Sequence, residues 1–348
     1  MKLVLAGGSG QVGNLLARSF HGGGDEVVVL SRQPAGRPWR VVAWDARTAG
    51  AWAAELEGAD AVINLAGRSV NCRYGPAHRR AILASRVEST RAIGEAIDRA
   101  ARPPRVWLQM STATIYAHRY DSANDEIHGI LGGSDPGTPG VPGAPPEWHF
   151  SVEVARAWEG ALTAAATPRT RRVAMRSAMV MSPDRGGVFD VLLGLVRKGL
   201  GGRAGDGRQF FSWIHDQDFV RAVRWLLAHD ELAGAVNLAS PEPLPNAAFM
   251  RILREVWGAP WGLPAARWML EIGAIFLRTE TELILKSRRV VPARLLQDGF
   301  TFLHPAWPEA ARDLCARWRE DRRRRLPERS PRKKNEKRPA GTSARRSG

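Results

Sequence analysis

The sequence predicts an α/β fold: a doubly wound parallel sheet with a smaller, mainly helical lobe. Three observations support this class. Short apolar runs alternate with helix-compatible segments over residues 1–240, a glycine-rich turn directly follows the first run, and the pattern beyond residue 240 is mainly helical. Helical crossovers return the chain to the same edge of a sheet, so we expect the strands to be parallel.

The N-terminal stretch predicts a nucleotide site. An apolar run, Lys2–Ala6, leads into a turn over residues 7–13 with the sequence Gly-Gly-Ser-Gly-Gln-Val-Gly. A helix-compatible segment follows over residues 14–20, and a second apolar run covers residues 27–30. This order of strand, glycine turn, helix and strand is half of a Rossmann dinucleotide-binding fold.

The glycine spacing in this turn has a physical reason. Gly7 lets the chain turn sharply off the strand, and Gly10 lets backbone N–H groups approach a pyrophosphate. Gly13 lets the helix lie close to the sheet, and the helix N-terminus adds partial positive charge. We therefore expect residues 7–13 to bind the phosphates of a dinucleotide.

The end of the second strand selects the nucleotide. NAD-selective proteins place Asp or Glu there, whereas this chain has Ser31 and Arg32, a hydroxyl and a guanidinium suited to a 2′-phosphate. This favours NADP over NAD, and an ordinary surface role for Arg32 is the alternative. Asp45, at the end of the third strand, is expected either to accept a hydrogen bond from the adenine amino group or to cap the next helix.

The remaining elements continue the alternation of strand and helix. Small residues at 64–67 end the fourth strand, at the sheet edge where open α/β folds bind ligands, and a run of hydroxyls at 111–116 ends the fifth. The further predicted strands are residues 40–45, 60–67, 105–110, 172–176 and 235–239. The further predicted helices are residues 51–57, 76–99, 150–165 and 219–229.

Composition shifts divide the chain. Residues 129–147 hold six glycines and five prolines, which predicts a lid-like loop. We expect a Rossmann domain over residues 1–240, with substrate-lobe insertions after about residue 186. A helical C-terminal domain over 241–316 and a disordered basic tail over 319–348 complete the expected organisation.

The net charge of +16 is concentrated in the tail. Residues 319–348 contain 13 Lys or Arg and four Asp or Glu, a contribution of +9, with no aromatic residue. Such a tail is expected to be solvated, and any contact with nucleic acid or acidic lipid would be weak and electrostatic.

The sequence also limits where the protein is expected to be located and what it is expected to bind. There is no uncharged apolar run of membrane-spanning length, and because the first predicted strand begins at once we expect no signal peptide. Cys72 and Cys315 suggest neither a disulfide framework nor a metal site. We expect a cytoplasmic protein with a small-molecule substrate, and the oligomeric state is open.

Several motifs together carry a family resemblance. The glycine turn, Asn64-Leu65-Ala66-Gly67 and Ser111-Thr112-Ala113-Thr114-Ile115-Tyr116 resemble the extended short-chain dehydrogenase/reductases, the superfamily of sugar-nucleotide epimerases and dehydratases. Further motifs are similar to an epimerase-like subfamily that ends in a domain of unknown function, and the match covers about residues 1–316. These further motifs are Ser85-Arg86-Val87, Trp158-Glu159, Gly199-Leu200-Gly201-Gly202, Ser212-Trp213-Ile214-His215 and Pro292-x-Arg294-Leu295-Leu296 before Gly299-Phe300.

The resemblance implies roles for individual residues. It implies that Thr112 hydrogen-bonds the substrate and that His215, a catalytic candidate, lies where substrate-lobe contacts begin. Tyr116 stands where related chains carry a structural tyrosine, and it is a candidate acid because it is the only tyrosine beside the hydroxyl run. Each of these two has a structural alternative: packing for Tyr116, and a satisfied structural histidine for His215. No metal is expected. The cofactor-binding residues expected from the motifs and the resemblance together are Gly7, Gly8, Ser9, Gly10, Gln11, Val12, Gly13, Ser31, Arg32, Asp45, Asn64, Leu65, Ala66, Gly67, Arg86, Ser111 and Arg176.

One departure from the superfamily leaves two functions open. Its acid–base unit is Tyr-x-x-x-Lys on the helix expected near residue 150, but none of the tyrosines here (Tyr74, Tyr116 and Tyr120) has a lysine four residues later. The first function is an NADP-dependent oxidoreductase or epimerase acting on a small polar substrate, with sugar nucleotides as the candidate class. The second is a catalytically degenerate NADP(H)-binding sensor or structural protein.

Overall fold

A seven-stranded parallel sheet lies at the centre of the computed structural model, which describes residues 1–33, 36–132, 148–266 and 282–325. The strands of this sheet lie in the order β10-β6-β5-β4-β1-β2-β3. Two short pairs, β8 with β11 and β7 with β9, lie outside it. The strands are β1 Lys2–Ala6, β2 Glu26–Ser31, β3 Arg40–Ala43, β4 Ala61–Asn64, β5 Val106–Thr112, β6 Arg171–Ser177, β7 Met179–Met181, β8 Phe210–Phe211, β9 Trp213–His215, β10 Gly234–Leu238 and β11 Leu244–Pro245.

Helices connect these strands and cover both faces of the sheet. The helices are α1 Gln11–Gly22, α2 Pro76–Arg99, α3 His149–Thr163, α4 Val188–Arg197, α5 Asp216–Ala228, α6 Asn246–Trp257, α7 Glu282–Leu285, α8 Ala293–Gln297 and α9 Trp307–Arg325. Two 3₁₀ helices, Ala51–Leu56 and Ala113–Ile115, fill short connections. Pro76 at the first helical position of α2 suits the fixed proline φ, and this helix has the predicted bounds.

The core forms two layers, one on each face of the sheet. On one face, Leu16 and Phe20 of α1 and Val223 of α5 pack against inward residues of the strands. On the other face, Ile93 and Ile97 of α2 surround Trp107. These layers confirm the predicted doubly wound parallel α/β class, because helices bury apolar stripes on both sides of one sheet.

A third core joins α4, α6 and α9 beyond the sheet. The rings of Phe249 and Trp307 stack with their centroids 3.8 Å apart, and the indole nitrogen of Trp307 donates to the carbonyl oxygen of Phe249. This apolar cluster packs the C-terminal helices against α4 and the short strands β7, β8 and β9. The division into domains at residue 240 stays a prediction.

The predicted start of the disordered tail is wrong. Helix α9 continues to Arg325, past the predicted boundary at residue 319. Arg319 lies over the Trp257 ring at 4.2 Å and donates to the Trp257 carbonyl oxygen, so its stem and charge have partners in the fold.

Residues 133–147 of the predicted loop, 267–281 of the predicted helical domain and 326–348 of the tail lie outside the described residues. Within the described residues, no helix has the length and apolarity to cross a membrane.

Candidate functional site

The glycine turn lies where the strand order changes direction. Gly7 follows β1 with φ of +73°, and a Cβ there would lie 2.7 Å from the Cα atom of Ala66, which follows β4. A Cβ at Gly13 would lie 2.4 Å from the Cα atom of Gly8, so helix and turn touch backbone to backbone. Gly10 differs, because its Cβ would meet nothing within 4 Å. The turn is therefore closed against the sheet and open at Gly10, as close approach of a phosphate requires.

The first turn of α1 faces this open side. Gly10 is the N-cap of α1 in an extended conformation, and no acidic residue lies in the first turn. Asn14 donates from its side chain to the carbonyl oxygens of Ser9 and Gly10 and so braces the turn. The side-chain nitrogen of Gln11 is buried and has no hydrogen-bond partner in the described part of the chain, and Val12 packs against the core. The first N–H groups of the helix supply the donors of an anion site.

A cleft of about 600 Å³ opens beside the ends of β2 and β3, and Arg32, Trp44, Asp45 and Trp52 line it. Arg32 is exposed, so its guanidinium is free to meet an anion. Ser31 is buried, and its hydroxyl bonds the backbone of Gln33. The cleft therefore offers two indole rings and a cation at the predicted 2′-phosphate position.

Asp45 is engaged in a local turn. Its carboxylate accepts hydrogen bonds from the Thr48 hydroxyl at 2.6 Å and from the backbone N–H groups of Arg47 and Thr48. The hydroxyl of Thr48 is the main cause that lowers the pKa of Asp45. The carboxylate closes a turn in the loop and does not cap the next helix, whose N-cap is Gly50 with no side-chain hydrogen bond, and the adenine contact of Asp45 stays a prediction.

The turn after β4 has a buried amide at its centre. The side chain of Asn64 donates to Gln109 at 3.0 Å and accepts from the N–H of Ala66 at 3.0 Å, and it has no exposed surface. Asn64 thus shapes the backbone of Leu65, Ala66 and Gly67, and the backbone is what faces the glycine turn. Its predicted role in cofactor binding is accordingly indirect.

Arg86 is a largely buried cation that forms no ion pair with a carboxylate among the described residues. Its guanidinium lies 5.0 Å from the Trp158 ring centroid and donates to the carbonyl oxygens of Arg68 and Ile82, and these described contacts include no acidic group. Burial lowers its pKa to about 10. Gly67 lies against it, since a Cβ there would be 3.2 Å from the guanidinium carbon. A desolvated cation beside a small-residue turn suits an anionic ligand.

Tyr116, Arg176 and Ser111 belong to one internal network. Arg176 binds Glu159 through two nitrogens, at 2.9 and 2.8 Å, and also donates to the Tyr116 hydroxyl at 3.0 Å. Ser111 donates to the same carboxylate at 2.6 Å, and Tyr116 donates to Asn237 at 2.9 Å. Burial would lower the pKa of Arg176, but the paired Glu159 outweighs it and raises that pKa.

This network bears on the two roles left open for Tyr116. Its side chain is 2 % exposed, and burial raises the pKa of its hydroxyl. A phenol with a raised pKa and filled hydrogen bonds is a poor proton donor to a substrate. These contacts favour the packing role, and a catalytic role for Tyr116 stays a prediction.

The structure also places His215 in a structural network. The ring has no exposed surface, accepts from the N–H of Gln217 at the start of α5, and bonds Asp313 of α9 at 2.9 Å. Burial lowers its pKa. His215, His304 and Asp313 lie close enough to share a metal, but Arg317 already donates to the same Asp313 oxygen. A guanidinium at that oxygen opposes the binding of a metal cation there. The contacts of His215 instead link α5 to α9.

Thr112 lies at the end of β5, as predicted. It is partly exposed, and its hydroxyl oxygen accepts the N–H of Thr114 at 3.1 Å, which caps the 3₁₀ helix that follows. The hydroxyl keeps its own proton for a further partner. Of the three predicted catalytic residues, Thr112 alone combines the expected position with solvent access.

Sequence reasoning missed charged residues that reach this turn from far along the chain. Lys286 donates to the Thr114 carbonyl oxygen at 2.8 Å, and Arg288 donates to the Thr114 hydroxyl at 3.1 Å. Glu282 accepts from Ser151 of α3 at 2.5 Å. The available signal was the spacing of Glu282 and Lys286, four residues apart with three apolar residues between them, but their contacts with Ser151 and Thr114 span more than 130 residues of sequence.

Comparison with family models gives two matches. Residues 3–239 match the NAD dependent epimerase/dehydratase family, and residues 265–314 match a domain of unknown function, DUF1731. The second match contains Glu282, Lys286 and Arg288.

Comparison with individual proteins agrees. The epimerase family protein SDR39U1 of Bos taurus is 29% identical over 320 residues, which are 91% of this chain and 100% of that protein. The crystal structure of human SDR39U1 (isoform 2) with NADPH superposes with a TM-score of 0.77 at 27% identity, covering 91% of this chain and 99% of that one. A nucleoside-diphosphate sugar epimerase from Corynebacterium glutamicum gives a TM-score of 0.69 at 26% identity, over 92% of this chain and 61% of that one.

Proposed function

The chain belongs to the NAD dependent epimerase/dehydratase family, and on that premise we propose that it is an NADP(H)-dependent oxidoreductase or epimerase of a small polar substrate. Sugar nucleotides are the proposed substrate class, because the Corynebacterium glutamicum neighbour is described as a nucleoside-diphosphate sugar epimerase. The observation that carries the cofactor proposal is the glycine turn, closed against the sheet at Gly7 and Gly13 and open at Gly10. The NADPH bound to human SDR39U1 supports the choice of cofactor.

The described residues fit such a cofactor in three places. The N–H groups at the start of α1 would hold the pyrophosphate, and the exposed Arg32 beside Trp44 and Trp52 would hold the adenosine 2′-phosphate. Arg86 adds a desolvated cation near Gly67. When bound, the nicotinamide supplies or accepts a hydride. Thr112 would orient the reacting hydroxyl of the substrate from the end of β5.

A second candidate is an inactive NADP(H)-binding sensor. The observation that favours it is the lack of a tyrosine–lysine pair, now joined by the burial of Tyr116. The two candidates differ in the fate of the cofactor. Oxidation of NADPH or reduction of NADP⁺ with a nucleotide-sugar panel supports the enzyme, and stoichiometric binding without turnover supports the sensor. The cytoplasmic location stays a prediction, consistent with two free cysteines.

Cofactor choice is tested at Arg32. The natural protein should bind NADPH more tightly than NADH, and Arg32→Asp should reverse the order by removing a charge-assisted bond worth about 1.5–3 kcal/mol. Titration of cofactor fluorescence measures both affinities. Arg37→Asp is the matched control, because Arg37 is also exposed in this loop but does not line the cleft. Equal affinities for both cofactors in the natural protein would refute the assignment.

A further inference from the structure

The segment that begins with α7 places a carboxylate and a lysine against α3. The Ser151 hydroxyl of α3 donates to one oxygen of Glu282 at 2.5 Å, and the other oxygen of Glu282 lies 3.7 Å from the Lys286 nitrogen. The side chains of Glu282 and Lys286 are each 2 % exposed, whereas Ser151 is partly exposed. The three groups therefore form a series that runs inward from an accessible hydroxyl to a buried amine.

This series stands where the resemblance expects a Tyr-x-x-x-Lys pair. Ser151 lies in the first turn of α3, the helix expected to carry that pair. Lys286 donates to the carbonyl oxygen of Thr114, two residues beyond the substrate-orienting Thr112. The described contacts thus join the series to the end of β5 as well as to α3.

Glu282 and Lys286 are not a saturated structural ion pair. The Glu282 oxygen that faces Lys286 is buried and has no hydrogen-bond partner among the described residues. A buried pair kept only for packing needs short and complete contacts to offset the cost of desolvation. Here the Glu282 oxygen that faces Lys286 has only the longer contact of 3.7 Å with the ammonium among the described residues, which suits groups that exchange a proton.

The surrounding charges support proton exchange near neutral pH. Burial lowers the pKa of Lys286 to about 8, with Glu282 opposing that change and Arg288 adding to it. Burial raises the pKa of Glu282, and Lys286 and Arg288 oppose the rise. His118, after the turn at Thr114, also faces these cations, which help burial to lower its pKa to about 4. The lowered pKa of Lys286 and the raised pKa of Glu282 bring the two groups closer together in proton affinity, as exchange of a proton between them requires.

Resting on the function proposed above, we propose that Ser151, Glu282 and Lys286 form a proton relay in place of the tyrosine–lysine pair. The O–H bond of the substrate hydroxyl breaks and its proton passes to the oxygen of Ser151; NADP⁺, when bound, would be the oxidant that takes the hydride from the substrate carbon. The proton of Ser151 moves to Glu282, and a proton moves from Glu282 to the neutral amine of Lys286. The substrate is oxidised to a carbonyl compound, and the relay gains one proton in all.

The C-terminal match acquires a role through this relay. Glu282 and Lys286 lie inside the match to a domain of unknown function, and their partner Ser151 lies inside the epimerase match. The C-terminal segment supplies the acid–base groups that the helix of the epimerase domain lacks.

The test is a pH titration of Lys286 by NMR in the full chain labelled with ¹³C at the lysine ε-carbon. The chain has six lysines, so Lys286→Met assigns the signal, and the exposed Lys198 serves as the internal control. We expect Lys286 to titrate near pH 8, and the signal of the exposed Lys198 is the reference against which its change is judged.

Two variants test the coupling within the relay. Glu282→Gln removes a negative charge 3.7 Å away and should move the Lys286 midpoint down by ~1 pH unit or more. Ser151→Ala removes a donor to Glu282, leaves the carboxylate charge less compensated, and should move the midpoint up. Lys198 should not move in either variant. If Glu282→Gln fails to fold, the opposite shift in Ser151→Ala still decides.

The outcomes separate this proposal from the cofactor proposal. A Lys286 midpoint above pH 10, or one that moves in neither variant, overturns the relay even where NADPH still binds. A natural protein that does not bind NADPH refutes the proposed function, whatever Lys286 does. Where the nucleotide-sugar panel gives turnover, Lys286→Met should flatten the rise in rate through pH 8 and Lys198→Met should not. An unchanged profile in Lys286→Met overturns the relay.

Discussion

Two glycines of the phosphate turn, three residues apart, should have different effects when each is replaced by alanine: one change should lower thermal stability, and the other should weaken cofactor binding. A Cβ at Gly13 would lie 2.4 Å from both the Cα atom and the carbonyl oxygen of Gly8, and all of its nearest neighbours are backbone atoms. A Cβ at Gly10 would meet nothing within 4 Å, and the φ of −74° at Gly10 is allowed for alanine. Gly13→Ala therefore tests packing, and Gly10→Ala tests the space for a phosphate.

The magnitudes follow from these contacts. Real Cβ atoms do not approach other atoms to 2.4 Å, so Gly13→Ala must displace α1 from the turn. Overpacking of this kind costs about 1–3 kcal/mol, which lowers Tm by roughly 1–4 °C in a chain of this length. Gly10→Ala changes only an N-cap residue, at a cost of about 1 kcal/mol or less. The new methyl group of Gly10→Ala would instead occupy the space expected for the pyrophosphate. NADPH should then bind at least tenfold more weakly, which is a loss of about 1.4 kcal/mol in binding free energy.

Thermal unfolding followed by circular dichroism measures the first effect, and fluorescence titration with NADPH measures the second. We expect a clearly lowered Tm only in Gly13→Ala, and in Gly10→Ala a weakened affinity with nearly natural Tm. Natural NADPH affinity in Gly10→Ala would show that the phosphates do not approach this glycine. Natural Tm in Gly13→Ala would show that the contact between helix and turn is looser than the structure indicates.

Three further outcomes are expected. In any reaction found, Thr112→Val should lower kcat tenfold or more, because it removes the hydroxyl that orients the substrate, and an unchanged rate would place the chemistry elsewhere. Deleting residues 326–348 should leave Tm unchanged, whereas deleting residues 319–348 should lower it, because Arg319 packs on Trp257; calorimetry of both truncations decides. Burial and nearby cations lower the pKa of His118 to about 4, so the native state disfavours its protonation. Its contribution to stability is present above about pH 6.5 and is lost as pH falls toward 4. The Tm of His118→Asn should therefore fall less than that of the natural protein between about pH 6.5 and pH 4, as measured by thermal unfolding at each pH.

Local pattern was enough to predict the parallel sheet and the glycine turn. The alternation of apolar runs and helical segments specifies which residues must be buried, and crossover handedness then limits how the strands can lie. Helix α2 has its predicted bounds because Pro76 and Arg99 are local signals for its start and its last turn. The end of α9 was misplaced, because its highly charged last turn resembles a solvated tail until the contact of Arg319 with Trp257 is known.

The side-chain chemistry of the site was only partly predictable. Residues such as Thr112 and Arg32 lie at strand ends, and strand ends can be located from the sequence. Whether a polar side chain faces a ligand or an internal partner depends on residues far away in sequence. The contacts of Tyr116 with Asn237 and Arg176 favour packing, and the contact of His215 with Asp313 favours a structural role.

By itself, then, the sequence determined the α/β class, the phosphate turn and the position of Thr112, because each depends on neighbours along the chain. Only the tertiary structure decided which groups carry charge beside Thr112. Lys286 reaches the Thr114 carbonyl oxygen across 172 residues, and Glu282 reaches Ser151 across 131. The pKa of each group depends on its burial and on charges that are distant in sequence. Both arise only when the C-terminal segment packs against α3 and the end of β5.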